Sequence, residues 1–526
     1  MVGGLSDRLG IRRLVRRYAV PEWMVVECAQ ARKRGDWRAA CEAARVTVGF
    51  DDAGPVADLL AGFAPDLLRW HLPRSLSGTA GLATGLTYIL APDGPVTRDS
   101  VVLVVRSPDW VTGSQRLTLQ TVRVGDLGEG PIYPLAPYLW DFRRVGELRY
   151  MAQTAEPPKL VAPHEPPLAG RCGTCGRSHV DRPAGPPRAW AAAGWVIDES
   201  ANGYWAPHDL AMLHCADPQF ALRELRRVEE QVGRGSCWLR GHEGRPGRYD
   251  QGKVRLEAAP GGHHRITRCD AAATQPDAIG PEICLHPELL RPPADVELLR
   301  HDRIGVEELH PLVRAALFPA TDPAETRPAS DFSIVPAGFW QDERIRVRCG
   351  RQWHWISLRD GSVELLHHDE VERRREHTLR VLGAPMRGCF EAEQAWRDGN
   401  DAAPRRLRDY RHDLWRRMEH GGSRVVLALL DAGMNPQVRD GQGRTLLHRI
   451  HLFEHEELLP RLLAEGLDVN ARSRRGWTPM CEALVHSAPN DLLMALNAAG
   501  AHPQLSLTDP EHWPDPAVLG ATSDAG

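Results

Sequence analysis

Lysine is nearly missing from this chain: Lys33, Lys159 and Lys253 are the only three in 526 residues, and arginine carries almost all the positive charge. Alanine, glycine and proline are abundant instead, which reads as the codon bias of a GC-rich, bacterial-type genome. A strong excess of either sign is also lacking, since the net charge is −4. A field that would draw in nucleic acid or an anionic membrane surface is therefore not expected. Long apolar runs are missing too. The longest weakly polar stretch, about 79–91, falls well short of the roughly 18 residues that point to a membrane span. The segment from Met1 to Val20 interrupts its apolar positions with Arg8, Arg12, Arg13, Arg16 and Arg17, unlike a secretory signal. These gaps predict a cytoplasmic protein without a membrane partner. In that compartment the eleven cysteines, odd in number and scattered, should stay as thiols. HExxH, GxSxG and Walker sequences are absent, so local motifs nominate no catalytic residue.

What is present is an ordinary globular composition, 42% apolar and 25% charged. A chain of this length is too long for one ordinary core, and two to four domains are expected. Pro21 before Glu22, Trp23 and Met24 reads as a helix start, and Asp36 as the cap of a second helix with Trp37, Ala40, Cys41 and Ala44 on one face. An amphipathic helix is predicted over 56–70, burying Leu59, Leu60, Phe63, Leu67 and Leu68. The β-branched or alternating runs 87–90, 101–106 and 116–122 read as strands. Residues 1–155 thus form an α+β domain. Paired prolines crowd 156–187, which reads as a linker. A second α+β domain follows over 188–400. Its clearest piece is a hairpin: Ile345, Val347 and Cys349 alternate with arginines, Trp353 to Leu358 returns through Gly350, and Asp360-Gly361 makes a tight turn.

The last fifth is periodic. Gly443-Arg444-Thr445-Leu446-Leu447-His448 and Gly476-Trp477-Thr478-Pro479-Met480-Cys481 lie 33 positions apart. Leu429-Leu430-Asp431-Ala432-Gly433 and Leu462-Leu463-Ala464-Glu465-Gly466 keep the same interval, and Leu496-Asn497-Ala498-Ala499-Gly500 returns one residue later. This pattern resembles ankyrin repeats, whose period is about 33 residues. The resemblance implies a threonine cap at Thr445 and Thr478, with the Thr445 hydroxyl bonding His448. It places Pro479 in the first turn, and helix-ending glycines such as Gly466 in a left-handed backbone. Both copies depart from the family: Leu446 stands for proline in one, Cys481 for histidine in the other. Counting back one period predicts a divergent first repeat over 414–430, whose arginines Arg405, Arg406, Arg408, Arg411, Arg416 and Arg417 would form a polar outer face. The expected array spans 404–505, with a flexible tail over 506–526. The predicted fold class is therefore multidomain: α+β N-terminal and central regions followed by a short all-α ankyrin-repeat solenoid.

The resemblance implies no catalysis but a concave surface that holds another protein. Carried over by alignment, the contact residues are Arg439, Asp440, Gln442 and Arg444 in one hairpin tip and Arg472, Arg474, Arg475 and Trp477 in the next. Arginine and tryptophan are enriched at interface hot spots, which points to an acidic or mixed partner surface; a solvated charged face is the plainer alternative. Scaffold or adaptor is the function expected, and an enzyme in an α+β region served by a recruiting array is the competing class.

Two cofactor expectations stand open, none at all with an incidental cysteine pair, or a structural zinc. Cys172-Gly173-Thr174-Cys175 forms a CxxC knuckle with His179 close enough for a third ligand, and the fourth is open among His214, Cys215, Cys237 and His242. His263-His264 and His367-His368-Asp369-Glu370 are read as surface histidines, because adjacent residues on a strand face opposite ways and one metal cannot easily take both.

Overall fold

The computed structural model describes residues 3–75, 80–90, 95–109, 113–128, 130–153, 185–198, 207–233, 235–241, 254–258, 263–268, 282–319, 334–335, 343–383, 385–400 and 402–503. Cys172, Cys175, His179 and His242 lie outside them, as does the expected tail. The chain forms two compact units, Met1–Val111 with Gln115–Asp331, and Thr112–Ser114 with Phe332–Gly526. Among the described residues no helix is long and apolar enough to cross a membrane.

The division differs from the expected break at 156–187, and the reason is strand pairing. The first unit holds β1 Val46–Val48, β2 Thr87–Leu90, β3 Val101–Arg106, β4 Leu117–Arg123, β5 Pro131–Leu135, β6 Trp195–Asp198, β7 Ser236–Leu239, β8 Val254–Ala258, β9 His264–Arg268 and β10 Glu282–Leu285. They join in one ten-stranded sheet of order β1-β4-β3-β2-β5-β10-β7-β8-β9-β6. Strands from both sides of the proline-rich segment therefore share a ladder, with β5 and β10 side by side and parallel. The order is a palindrome. β1 with β4 and β6 with β9 are parallel, β2 with β5 and β7 with β10 are parallel, and the remaining neighbours are antiparallel in both halves. The unit thus contains two copies of one five-stranded motif.

Local chemistry repeats with the topology. A residue with positive φ ends the helix before the first strand of each copy, Arg45 at 57° and Gly194 at 91°. Leu135-Ala136-Pro137-Tyr138-Leu139 leaves β5 as Leu285-His286-Pro287-Glu288-Leu289 leaves β10. Short matches also recur in the helices, such as Asp58-Leu59 with Asp209-Leu210 and the helix-opening Pro65 with Pro218, but they are too sparse to mark a period along the sequence.

Helices cover this sheet. Glu22–Lys33 and Trp37–Ala43 form as expected, and the Asp36 carboxylate accepts from Ala39 N at 3.0 Å. The helix expected over 56–70 is instead two, Ala57–Gly62 and Pro65–His71. Pro65 disfavours helical backbone at the preceding residue, and Phe63 makes a β-bridge to Asp141 there. The second of these helices brings charges inside. Asp66, wholly buried, takes Arg32 on one oxygen and His310 on the other at 3.0 Å. Burial pushes the Asp66 carboxyl up, but His310 and Arg32 outweigh it and hold the group below the usual carboxylate range. Asp295 is likewise buried, 2.5 Å from Arg16, and accepts from Trp70 Nε1 at 3.2 Å. A cleft lies over this network, lined among others by Arg12, Arg16, Trp70, His71, Glu288 and Asp295. Arg12 pairs with Glu288 at 2.6 Å, so its carboxylates face arginines. His71 reaches the surface at its edge, yet its Nε2 is enclosed and unbonded among the described residues. Burial pushes its pKa down to about 4.

The second unit begins with a three-stranded antiparallel sheet, β11 Glu343–Cys349, β12 Gln352–Arg359 and β13 Ser362–Leu365, in sequence order. Helices Glu370–Val381 and Cys389–Arg397 follow, then the pairs Arg405–Gly421 with Ser423–Asp431 and Pro479–Val485 with Asn490–Ala498, with His455–Ala464 between them. Residues 446–452, expected to open a helix, form turns and a short 3-10 segment instead. Leu446 there lacks the preset φ that proline gives a first helical turn. Arg411 is not on the expected polar outer face. It is 3% exposed and donates to the carbonyls of Ala395, Trp396 and Asn400, because helix Cys389–Arg397 and the turn after it cover that side. Asn435 N bonds Asp360 O at 2.8 Å and Asn435 Nδ2 bonds Ser362 Oγ at 3.0 Å, joining the sheet to the first helix pair.

The glycines expected to end the second helices have φ of 94° at Gly433, 79° at Gly466 and 84° at Gly500. Gly466→Val should destabilise the second unit by about 1–3 kcal/mol through strain at that backbone conformation, read as a lower urea midpoint. An unchanged midpoint would count against the strain. For the first unit, the depressed pKa of His71 contributes stability that is complete above about pH 6.5 and fades as pH falls toward 4. His71→Gln should therefore flatten the decline in melting temperature across that window, checked by melting both proteins at closely spaced pH values.

Candidate metal centre and hairpin tips

The hairpin sheet sets up the first site. Ile345, Ile356, Leu358, Val363 and Leu365 are buried, and Arg344, Arg346 and Arg348 alternate outward beside the exposed Trp353 and Trp355. Period-two alternation thus commits one face to the core. Val347 lies opposite His354 and Cys349 opposite Gln352, which puts Cys349 and His354 diagonally on that same face. Gly350, at φ 63°, turns the chain between them.

Two further residues converge on the pair. His368 follows β13 just before helix Glu370–Val381, whose cap is the Asp369 carboxylate accepting from Glu372 N at 2.8 Å. Cys389 opens helix Cys389–Arg397. Its neighbour Gly388 has φ 66° and ψ −127°, and a Cβ there would lie 2.8 Å from both Cα and Sγ of Cys349. Only glycine lets the helix start approach the strand end this closely. Trp396, buried at the far end of the helix, donates to Gly361 O at 2.8 Å and fixes the helix on the sheet.

Donor atoms of Cys349, His354, His368 and Cys389 all lie within 4.8 Å of one another. Cys349 Sγ is 3.7 Å from His368 Nε2, and His354 Nδ1 is 3.0 Å from the same nitrogen. His368 Nδ1 donates to Glu372 Oε2 at 3.1 Å; a carboxylate can only accept, so this bond leaves Nε2 with its lone pair directed at the other three residues. His354 Nε2 faces Gln352 Oε1 at 3.4 Å, and the Phe390 ring packs on His368 with centroids 4.6 Å apart. Burial, then the adjacent Cys349, pushes the Cys389 thiol up to about 12. Partial burial, then His368 and His367, lower the pKa of His354. Together these four groups are the donor set of a Cys2His2 centre.

Sequence reasoning missed this set. From sequence alone His367 and His368 both read as surface groups, whereas the structure keeps His367 exposed and turns His368 inward. The members are separated by 4, 13 and 20 intervening residues, so no short motif announces them. The alternation that places Cys349 on the apolar face of its strand was the one available signal. Of the ligands considered for the CxxC pair, His214 and Cys215 end helix Pro207–Cys215, and Cys237 is buried in β7. A second grouping, His455, Glu456 and Asp491, has solvated carboxylates.

The hairpin tips form the second site. Among the carried-over contact residues, Gln442, Arg472, Arg474 and Arg475 are exposed. Trp477 is 6% exposed and Asp440 7%. Asp440 shapes its turn, accepting from Gln442 N at 2.8 Å, Arg444 N at 2.9 Å and Arg444 Nε at 2.7 Å. Arg439 donates to Gly443 O at 2.6 Å and, one period on, to Arg472 O at 3.1 Å. The Arg474 guanidinium is tied to Gly399 O, leaving Gln442, Arg472 and Arg475 as the outermost groups.

Behind the tips, Thr445 Oγ1 and His448 Nδ1 lie 2.9 Å apart, as the resemblance implied, and His448 Nε2 meets Trp477 O at 3.0 Å. Cys481 is too short for that reach. There Thr478 itself donates to His502 O at 2.8 Å, while Pro479 starts its helix as expected.

No family model matches the chain. An ankyrin repeat-containing protein of Schizosaccharomyces pombe is 35% identical to it over 88 residues, 16% of this chain and 42% of that protein. The chain thus spans less than half the length of the relative it matches. The likeness gives limited support to ankyrin repeats in a small part of the chain.

Gly388→Ala should cost about 2–4 kcal/mol in the second unit, from a positive-φ backbone and a clash with Cys349 together. Denaturant titration checks this, and an unchanged midpoint would contradict the close approach.

Proposed function

We propose that residues 404–503 stack as three ankyrin-type repeats, that their exposed hairpin tips hold another protein, and that the chain serves as a scaffold or adaptor. The observation carrying the reading is hydrogen bonding that recurs at about one repeat's separation. Arg439 reaches Arg472, His448 reaches Trp477, and Asn470 Nδ2 reaches Gly500 O at 2.9 Å, so each unit is tied to the next by the same region of chain. Bonding between neighbouring units is what a repeat array relies on, which supports the reading. The left-handed glycines and the partial likeness to an ankyrin repeat-containing protein agree with it.

The contact surface is narrower than the alignment implied. Trp477, Asp440, Arg439 and Arg444 serve the array's own packing, and the side chains left for a partner are Gln442, Arg472 and Arg475. Their charge favours an acidic surface, because an opposed carboxylate pairs bidentately with arginine at little desolvation cost on an interface rim.

Arg472→Glu with Arg475→Glu in the full chain should reduce capture of its partner at least tenfold while leaving the melting curve in place. The assay is affinity capture from native extract followed by identification and titration of the retained protein. Equal capture by the charge-reversed chain would remove the tips from the contact.

A further inference from the structure

We infer that Cys349, His354, His368 and Cys389 bind one Zn2+ ion in a closed, four-ligand structural site. Four independent features converge on it. The donors are two sulfurs and two imidazole nitrogens, the set borderline-soft Zn2+ prefers. Donors around a tetrahedral Zn2+ stand roughly 3.3–3.8 Å apart, given Zn–N of about 2.0–2.1 Å and Zn–S of about 2.3 Å. The observed separations of 3.0 and 3.7 Å lie at or close to that range, and all four donors fall within 4.8 Å of one another. Outer partners are in place as well: Glu372 accepts from His368 Nδ1 and so aims Nε2 inward, and Gln352 stands at the outer nitrogen of His354. Carboxylate–histidine pairs of this kind orient metal ligands and raise their basicity. Lastly, the Gly388 backbone brings Cys389 against Cys349, a contact that no bulkier residue permits.

The plainest alternative is a hydrogen-bonded imidazole pair beside two thiols. In that arrangement the lone pair of His368 takes the proton of His354 Nδ1, and His354 Nε2 becomes an acceptor that the Gln352 amide must turn to serve. A cation satisfies both imidazoles and both sulfurs at once, the thiols ionising and releasing their protons to solvent as the Zn–S bonds form.

The ion would join β11, β12, the end of β13 and helix Cys389–Arg397, pieces 40 residues apart at the extremes. That assembly receives Asn435 through Asp360 and Ser362, and Arg411 through Ala395 and Trp396. Zinc would therefore hold the cap on which the first helix pair rests. The metal site stands whether or not the hairpin tips bind a protein.

The test uses the full chain carrying Cys172→Ser and Cys175→Ser, which removes the other thiol pair. One equivalent of zinc should copurify, and a strong chelator should lower the melting temperature by several degrees. Replacing Zn2+ with Co2+ should give the visible absorption of a tetrahedral site and a thiolate charge-transfer band. Cys349→Ser with Cys389→Ser should abolish both. His368→Cys should keep Co2+ with a stronger charge-transfer band, which separates ligand loss from misfolding. The inference is overturned by reduced protein that binds neither ion, by zinc that survives Cys349→Ser with Cys389→Ser, or by a Cys349–Cys389 disulfide in the chain as purified.

Discussion

The second unit depends on one close backbone approach. At Gly388 the chain passes so near Cys349 that a single methyl group would collide with it. Everything beyond follows from where that contact puts helix Cys389–Arg397. Its first residue joins the Cys–His cluster, its Trp396 locks onto Gly361, and its C-terminal carbonyls are taken by Arg411 of the next helix. The helix pairs that follow are short, and the exposed end of a short helical stack must be covered. Here the cover is a β-sheet with its own fixed geometry rather than a polar helix face.

The first unit solves a different problem, that of a large sheet assembled from strands far apart in sequence. Copying one five-stranded motif and joining the copies through the parallel pair β5–β10 gives a continuous ladder. The cost is a set of charges carried inside with the covering helices. Asp66 and Asp295 remain ionised because arginine and histidine partners stand against them, and unpaired they would be strongly destabilising. The cleft is lined by Asp295 with Arg16 and by the Arg12–Glu288 pair, which clamp helices that are distant along the chain.

Periodic features were legible in the sequence because they need only local arithmetic. Alternation located β2, β3 and the β11–β13 hairpin to within a residue or two, and the 33-residue interval located the glycines that end helices. The Thr445–His448 contact was equally readable, since the two residues lie three apart on one turn. Identity drift hid the duplication in the first unit, where pairing between copies is a backbone matter and leaves little trace in side chains.

What the sequence determined by itself, then, is the set of short elements and the repeat period, each governed by neighbours within a few residues. Tertiary structure alone decided which strands share a sheet, that Trp477 and Asp440 turn inward, and that His368 faces two cysteines and a second histidine. Those outcomes depend on contacts between segments tens of residues apart, and burial at such contacts is settled by the shape of the partner rather than by the residue's own preference.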